Sequence, residues 1–247
     1  MKTKTYNTVH AISLRLLKYG DTSLIVSCFT KEYGLQTYIL KGILKMRGEG
    51  KVSKSLFEPL TLLELEAPKN RENRIGFIKE AKLHHAYTEI PFDFRKKALV
   101  FFLAEVIYQV VLEEQEPNQP LFKFVKQRLI WLDSERKLDL FHIKMMLDLT
   151  KYIGFYPNLL NPSFIYFDLE SGSMSSVKPN SYYIKDPLKS YWTQLLGMDF
   201  DRVNEIKLLK KHRVELLNQV ITYFELHLQQ FKPPKSTEVL NEIFKIS

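Results

Sequence analysis

Cysteine is almost absent from this chain: Cys28 is the only one in 247 residues. A single thiol cannot form an intramolecular disulfide or a metal site built from several thiolates, and this usage is typical of a reducing compartment. Cys28 falls inside a predicted strand, and no histidine or asparagine pattern of a thiol enzyme accompanies it. We therefore interpret it as a small buried hydrophobic residue and not as a nucleophile.

Long apolar runs are also missing. No stretch reaches the roughly 18 consecutive apolar residues that a membrane-spanning helix needs. The first residues lead into an alternating apolar pattern, which is unlike the apolar centre of a signal peptide. We expect a cytoplasmic protein without a membrane partner.

The motifs of several enzyme classes are lacking. The chain has no GxxxxGK[ST] phosphate loop, no HExxH, no GxSxG and no paired cysteines. The adjacent His84 and His85 are the only histidine cluster in the sequence. Neighbours in a strand point to opposite faces, so these two cannot easily share a ligand. We expect no catalytic activity, no cofactor and no metal site.

Positive charge is abundant and unevenly distributed. Residues 1–86 contain 15 lysines and arginines against 8 acidic residues, a net charge of +7, although the whole chain carries only +8. The first third of the chain therefore suits a polyanionic partner, and the remainder does not.

The apolar pattern of the first third alternates with a period of two, which predicts β-structure. Turn residues divide it into five strands, at about Thr8–Leu17, Ser23–Thr30, Leu35–Leu40, Leu60–Glu66 and Ile75–Leu83. In the first strand, Ile12, Leu14 and Leu16 are predicted to share one face, with Ser13 and Arg15 on the other. Five short strands predict a small, partly open barrel of the OB class.

Beyond Pro91 the apolar spacing becomes helical. Helices are predicted at about Phe94–Leu112, from Pro120, at Leu138–Ile153, at Leu188–Leu196, at Asp201–Gln230, and from the N-cap Ser236 to the end. Residues 155–186 are predicted to be an irregular insertion with a strand-like piece at Phe164–Phe167. The predicted fold is α+β with two domains, an OB barrel in residues 1–86 and a helical domain in residues 87–247.

A basic, glycine-containing segment follows the third predicted strand and lacks apolar periodicity. Flexible basic side chains beside a barrel can neutralise phosphates and release counterions, although a solvated loop has the same composition. The charge of the whole domain favours DNA binding, for which the candidates are Arg15, Lys41, Lys45, Arg47, Lys51 and Lys54. OB folds also stack bases on aromatic rings, and the available rings are Tyr33, Tyr38, Phe57 and Phe77.

Three blocks resemble the N-terminal domain of RecO proteins in order and spacing: Leu24–Gly34, Tyr38–Gly42 and Glu58–Glu64. Two further stretches, Gly154–Asn158 and Phe231–Ser236, resemble the Gly-x-x-Pro and Lys-Ser elements of the same family. The resemblance therefore covers both predicted domains. The family's basic stretch after its Lys-Gly element falls on Lys41–Lys54, the segment that the charge pattern also indicates.

The resemblance implies a non-catalytic mediator of DNA repair and recombination. Such a protein binds single- and double-stranded DNA, anneals strands, contacts the C-terminal tail of single-strand-binding protein (SSB), and works with RecR to load RecA. It would work at the nucleoid, and the sequence leaves open whether RecF takes part. Candidate groups for the acidic SSB tail are Lys207, Lys210, Lys211 and Arg213, for each of which a solvated helix face is the alternative.

The chain departs from the family at two places. Many members carry a four-cysteine zinc site after the Gly-x-x-Pro element, but residues 155–186 contain no cysteine, so zinc is not expected there. Ile43 and Leu44 replace a small residue and a basic residue, which predicts a DNA footprint shifted toward Lys45 and Arg47. Two other classes of function stay open, an RNA-binding OB protein and a helical scaffold whose barrel binds nothing.

Overall fold

The computed structural model describes residues 6–44, 52–69, 75–114 and 116–245. The chain divides into two compact units, Met1–Ser134 and Glu135–Ser247, and each has its own hydrophobic core. Within the described residues, no helix is both long and apolar enough to span a bilayer.

The first unit is built on one six-stranded sheet. Its strands are β1 (Asn7–Tyr19), β2 (Ser23–Thr30), β3 (Gly34–Leu40), β4 (Leu62–Ala67), β5 (Gly76–Phe77) and β6 (Glu80–Leu83), in the order β5-β3-β2-β1-β4-β6. A short 3₁₀ helix, Lys54–Phe57, lies between β3 and β4. Four predicted strands are therefore present at nearly the predicted bounds, and the fifth is divided into β5 and β6.

The two edges of the sheet are joined by a single segment. β5 pairs in parallel with β3, and β6 pairs antiparallel with β4, yet only Ile78 and Lys79 separate β5 from β6. The segment Gly76–Leu83 thus closes the sheet into a small barrel, as in an OB fold. The predicted fold class, an α+β chain that begins with an OB barrel, is confirmed.

A β-bulge interrupts β1 between Ser13 and Arg15, where the register against β2 shifts by one residue. Before the bulge Val9 and Ala11 face the barrel core, and after it Leu16 does. The prediction that Ile12, Leu14 and Leu16 share one face is therefore wrong, because the extra residue of a bulge reverses the alternation.

The first unit also includes the α-helices α1 (Phe94–Glu113) and α2 (Gln119–Ser134). α1 lies against β1 and β3, and the rings of Phe29 on β2 and Phe122 on α2 are 5.4 Å apart. Ile12 and Leu14 are buried although they lie outside the barrel core cluster, which fits a sheet packed on both faces. The first compact unit thus reaches Ser134, and the predicted division into an OB domain of residues 1–86 and a helical domain of residues 87–247 stays a prediction.

The end of α2 is fastened to the chain that leaves the barrel. The Asp133 carboxylate accepts hydrogen bonds from the backbone N–H groups of Thr88, Glu89 and Ile90 and from the Thr88 hydroxyl, at 2.8–3.0 Å. The buried Lys96 ammonium donates to the Asp133 carbonyl at 2.6 Å. These bonds fix the start of α1 relative to the end of α2.

In the described part of the second unit the α-helices are α3 (Phe141–Leu149), α4 (Leu188–Gly197), α5 (Lys210–His227) and α6 (Thr237–Lys245). The predicted helix over Asp201–Gln230 is wrong at its start: a 3₁₀ helix, Phe200–Glu205, precedes α5, and extended backbone at Ile206 and Leu209 separates them. The third predicted helix is shorter than expected, because a 3₁₀ turn, Thr150–Tyr152, follows α3. Gly154 ends this helical segment, as predicted, and its φ of +87° is a conformation that favours glycine.

The insertion is more regular than predicted. It forms a three-stranded sheet of β7 (Tyr166–Asp168), β8 (Ser173–Ser175) and β9 (Tyr183–Ile184), in the order β8-β7-β9. Phe167 of β7 is fully buried, and its ring lies 5.3 Å from that of Trp192 on α4. The insertion therefore contributes to the core of the second unit, a role that its short strands concealed in the sequence.

Candidate nucleic-acid interface

The predicted basic segment leaves the barrel after β3 and returns at the 3₁₀ helix. Gly42 turns the chain at a φ of +68°, and the Leu44 N–H donates to the Thr22 carbonyl in the β1–β2 connection at 3.0 Å. Ile43 and Val52 both pack against the barrel core. Both ends of the segment are therefore anchored to the barrel, which explains the apolar residue at position 43.

Lys41 and Lys54 lie at the two ends of this segment, and both side chains are exposed. The Lys41 Nζ is 4.8 Å from the centre of the Phe77 ring on β5, a cation–π contact. Within the described ranges, neither lysine has a carboxylate within ion-pair distance. Their charges are thus available to an anionic partner. Lys45, Arg47 and Lys51 lie outside the described residues, and their role stays a prediction.

Arg15 is exposed on β1 immediately after the bulge, with its guanidinium 5.4 Å from the Tyr108 ring of α1. The strand register places Arg15 level with Ser27 and Thr37. Lys41 lies four residues beyond Thr37, or about 13 Å along the strand direction. The structure does not bring Arg15 together with Lys41, so Arg15 would have to contact a separate phosphate.

The predicted stacking role is wrong for two of the four candidate rings, those of Tyr38 and Phe57. Tyr38 and Phe57 are 0% and 1% exposed and fill the barrel core, where burial raises the pKa of the Tyr38 hydroxyl. Tyr33 and Phe77 are half-buried, and their stacking role stays a prediction. Cys28 lies in the same core, as predicted, and burial raises the pKa of its thiol to about 12.

Sequence reasoning missed Lys69, which lies in the connection between β4 and β5. Its Nζ lies 5.9 Å from the centre of the Tyr33 ring. In OB folds this connection and the one between β1 and β2 flank the ligand-binding face. Lys69, Arg71 and Arg74 fall in one short polar stretch, and this cluster of basic residues could have indicated a second contact region.

Not all basic side chains of the barrel are equally available. On β6 and just before it, Lys82 and Lys79 form ion pairs with Glu64 and Glu66 of β4, at 2.6 and 2.7 Å. The positive charge along the paired strands β4 and β6 is therefore partly neutralised. Lys41 and Lys54, at the two ends of the basic segment, have no such partner among the described residues.

The second candidate set gathers at the start of α5. Lys207, Lys210 and Lys211 are exposed, and the Lys211 Nζ is 3.8 Å from a Glu215 carboxylate oxygen. A helix N-terminus carries partial positive charge, so these lysines and the helix dipole favour an anion at the same place. Their assignment to an acidic tail stays a prediction.

Arg213 differs from these lysines because its side chain points into the protein. It is 7% exposed, and its guanidinium donates to the Asp139 carboxylate at 2.7 Å and to the Phe244 carbonyl of α6. Its contacts are therefore structural, whether or not an acidic tail also reaches it.

A small pocket lies beside this arginine. Its apolar lining comes from α5 and α6, with Lys210 and Arg213 as its basic groups; the residues are His142, Lys210, Arg213, Val214, Leu217, Leu240, Asn241 and Phe244. Burial, with a smaller effect of Arg213, lowers the pKa of His142 to about 3. His142 is thus neutral at physiological pH, and the positive charge of the pocket comes from Lys210 and Arg213. Lys207 and Lys211 do not line it.

Comparison with known proteins covers almost the whole chain. Family models described as Recombination protein O N terminal and Recombination protein O C terminal match residues 1–87 and 91–238. A DNA repair protein RecO of Christiangramia forsetii is 40% identical over 238 residues, covering 95% of this chain and 97% of the relative. Proteins of the same name from Bacteroides fragilis and Flavobacterium psychrophilum are 34% and 33% identical, over 94% and 95% of this chain and 97% of each relative. The chain belongs to the recombination protein O family.

Proposed function

We propose that this chain is a non-catalytic mediator of DNA repair and homologous recombination. It binds single- and double-stranded DNA through the OB barrel and anneals complementary strands. With RecR it helps to load RecA onto single-stranded DNA covered by SSB. Partners of this kind place the protein at the nucleoid, in the cytoplasm.

The observation that carries the proposal is a basic segment held at both ends on an OB barrel. Lys41 and Lys54 begin and end it, and both are exposed and unpaired within the described residues. Residues 1–86 carry a net charge of +7. Contacts to phosphates give affinity without sequence preference, which suits a repair factor that acts anywhere on the chromosome.

The pocket between α5 and α6 supports the second part of the proposal. The tail of SSB is acidic and apolar, and a pocket with an apolar lining and basic groups is complementary to both properties. Lys210 lines the pocket, and Lys207 and Lys211 are exposed at the same helix end. We assign the carboxylates of the tail to this region.

The proposal is tested by fluorescence anisotropy of a labelled single-stranded oligonucleotide, titrated at several salt concentrations. The variant Lys45→Ala/Arg47→Ala should weaken binding by about tenfold or more and flatten its salt dependence. Its matched control is Lys97→Ala/Lys123→Ala, which removes two exposed charges from α1 and α2 and should bind as the unmodified protein does. Equal weakening in both variants would show that only total charge matters, and no DNA binding at low salt would favour the scaffold function.

A peptide copy of the SSB tail tests the pocket in the same assay format. Lys210→Ala should weaken peptide binding and leave DNA binding unchanged. Lys45→Ala/Arg47→Ala should weaken DNA binding and leave peptide binding unchanged. A matching RNA oligonucleotide addresses the RNA-binding alternative. Clear preference for RNA over DNA would overturn the proposal, since the 2′-hydroxyl is what distinguishes the two.

A further inference from the structure

His10, Glu64 and His84 are distant in the sequence but lie close together on the β1–β4–β6 side of the barrel. His10 of β1 is paired directly with Glu64 of β4, and Glu64 is paired with Lys82 of β6. His84 follows Lys82 by two residues, so the two side chains are on the same face of the strand. The His84 N–H is held by the Leu62 carbonyl at 2.9 Å, which extends this alignment past the end of β6.

The potential ligand atoms of His10, Glu64 and His84 all lie within 4.8 Å of one another. The two imidazole rings are perpendicular, with their centres 5.2 Å apart. Ligands at about 2.1 Å from a tetrahedral zinc ion are about 3.4 Å from one another. Small rotations of these partly or fully exposed side chains are therefore enough to bring the three atoms around one ion.

A fourth side chain orients His10. The Nδ1 atom of His10 is 2.9 Å from one carboxylate oxygen of Glu32, and the other oxygen accepts the His10 backbone N–H at 3.0 Å. A carboxylate at Nδ1 places the ring proton there and leaves Nε2 with its lone pair. This is the arrangement by which carboxylates support metal-bound histidines, because it fixes the tautomer and the ring orientation and raises the basicity of the ligand.

Cations already occupy the positions around these groups. The Lys82 Nζ is 2.6 Å from a Glu64 carboxylate oxygen, and the Lys126 Nζ is 2.7 Å from the His84 Nε2. Both are long, flexible side chains. The pair of Lys82 and Glu64 is a surface ion pair, which contributes only about 0–1 kcal/mol, and Lys126 donates a single hydrogen bond to the His84 ring. A metal ion can displace both lysines, since coordinate bonds to two imidazoles and a carboxylate are much stronger.

We propose that His10, Glu64 and His84 form a binding site for a divalent transition metal of the zinc class, with Glu32 as the positioning residue of His10. Two imidazoles and one carboxylate are a ligand set typical of Zn²⁺, and the fourth position is open to water. The bound ion connects β1, β4 and the end of β6, and so stabilises the side of the barrel where the β4–β6 pairing closes it. The site is independent of the basic segment and of DNA binding.

The test is isothermal titration of the untagged, chelator-treated full chain with Zn²⁺. The expected result for the unmodified protein is one ion bound per chain and a higher melting temperature. His84→Gln removes a ligand and should abolish stoichiometric binding and the thermal shift, and Glu32→Gln should weaken binding by about 10-fold. His85→Gln is the matched control, because this neighbouring histidine is outside the cluster, and it should bind as the unmodified protein does.

Two further measurements separate this site from incidental binding to a surface histidine. Lys82→Ala removes a competing cation and should strengthen Zn²⁺ binding, whereas an incidental site elsewhere would not respond. Co²⁺ bound in place of Zn²⁺ should give the intense visible absorption of a tetrahedral site, lost in His84→Gln. The proposal is overturned if no stoichiometric Zn²⁺ binding occurs, if His85→Gln loses as much affinity as His84→Gln, or if His84→Gln retains it.

Discussion

At the residue scale, Asp133 combines a nearly buried position with a full set of hydrogen bonds. Burial alone would raise the pKa of its carboxyl group, but the N–H groups of Ile90, Thr88 and Glu89 outweigh that effect and lower it. The charged form is thus stabilised in the folded state. A carboxyl with a lowered pKa contributes stability above its ordinary pKa of 3.8 and loses it as the pH falls through the folded value.

We predict that Asp133→Asn lowers the free energy of unfolding by about 3 kcal/mol at pH 7, because an amide cannot accept all four hydrogen bonds. The difference from the unmodified protein should shrink as the pH falls below 3.8. Urea denaturation across this pH range measures it. Ser134→Ala is the control, and a loss of similar size in that variant would contradict the assignment to the carboxylate.

His142 is a base, whereas Asp133 is an acid, but both residues make the folded state less stable as the pH falls. Its pKa is lowered from 6.5 to about 3, so the folded state excludes a proton that the unfolded chain binds. Stability should therefore decrease below pH 6.5 by about 1.4 kcal/mol for each pH unit. In His142→Phe this dependence between pH 4 and 6, measured by urea denaturation, should be weaker by about that amount; an unchanged slope would contradict the prediction.

At the element scale, Arg213 connects α5 to the chain before α3 and to the end of α6. Removing one partner of a buried ion pair leaves the remaining groups without compensation, at a cost of about 3 kcal/mol or more when both are buried. Because Asp139 is half exposed, we predict that Arg213→Ala lowers the free energy of unfolding by about 2 kcal/mol.

The control for this prediction is Lys211→Ala, two residues earlier on the same helix, which should change stability by less than about 0.5 kcal/mol. If Arg213→Ala unfolds no more easily than Lys211→Ala, the arginine does not serve as a structural anchor. Its effect on binding of an SSB-tail peptide should be read only after this comparison, since a loosened pocket weakens binding indirectly.

Strand and helix bounds were predictable where turn residues or prolines delimit an apolar segment, as in β2, β3 and α1. The sequence could not predict the bulge at Leu14, because Ser13 and Arg15 alternate with apolar residues as they would in a regular strand, yet Ser13 is buried and its hydroxyl donates to the Phe57 carbonyl. The break before α5 was hidden for a similar reason: Ile206, Leu208 and Leu209 continue a helical apolar pattern through extended backbone.

The same limit applies to the candidate sites. Net charge and family resemblance indicated Lys41 and Lys54, which the structure places at the two ends of one anchored segment. The cluster of His10, Glu64 and His84 could not be predicted from the sequence, because only the pairing of β1, β4 and β6 brings these residues together. The sequence draws attention to His85 as the neighbour of His84, whereas the ring that lies beside His84 in the structure is that of His10 on β1.

At the scale of the whole molecule, the concentration of positive charge in residues 1–86 predicts how DNA binding responds to salt. If the five basic residues of the segment each neutralise one phosphate, the logarithm of the affinity for single-stranded DNA should fall with the logarithm of salt with a slope of about −3.5. Anisotropy titrations between low and moderate salt measure this slope. A slope near zero in the unmodified protein would contradict phosphate binding by the segment.

The closure of the barrel by Gly76–Leu83 has a consequence for synthesis on the ribosome. A nascent chain that ends before Gly76 holds β1 to β4 but exposes the free edges of both β3 and β4, and such edges pair readily with other chains. One short stretch then covers both edges at once. Folding of the barrel during translation is therefore expected to be abrupt, and chains truncated between Ala67 and Gly76 should aggregate, whereas chains that extend to Ser134 should not.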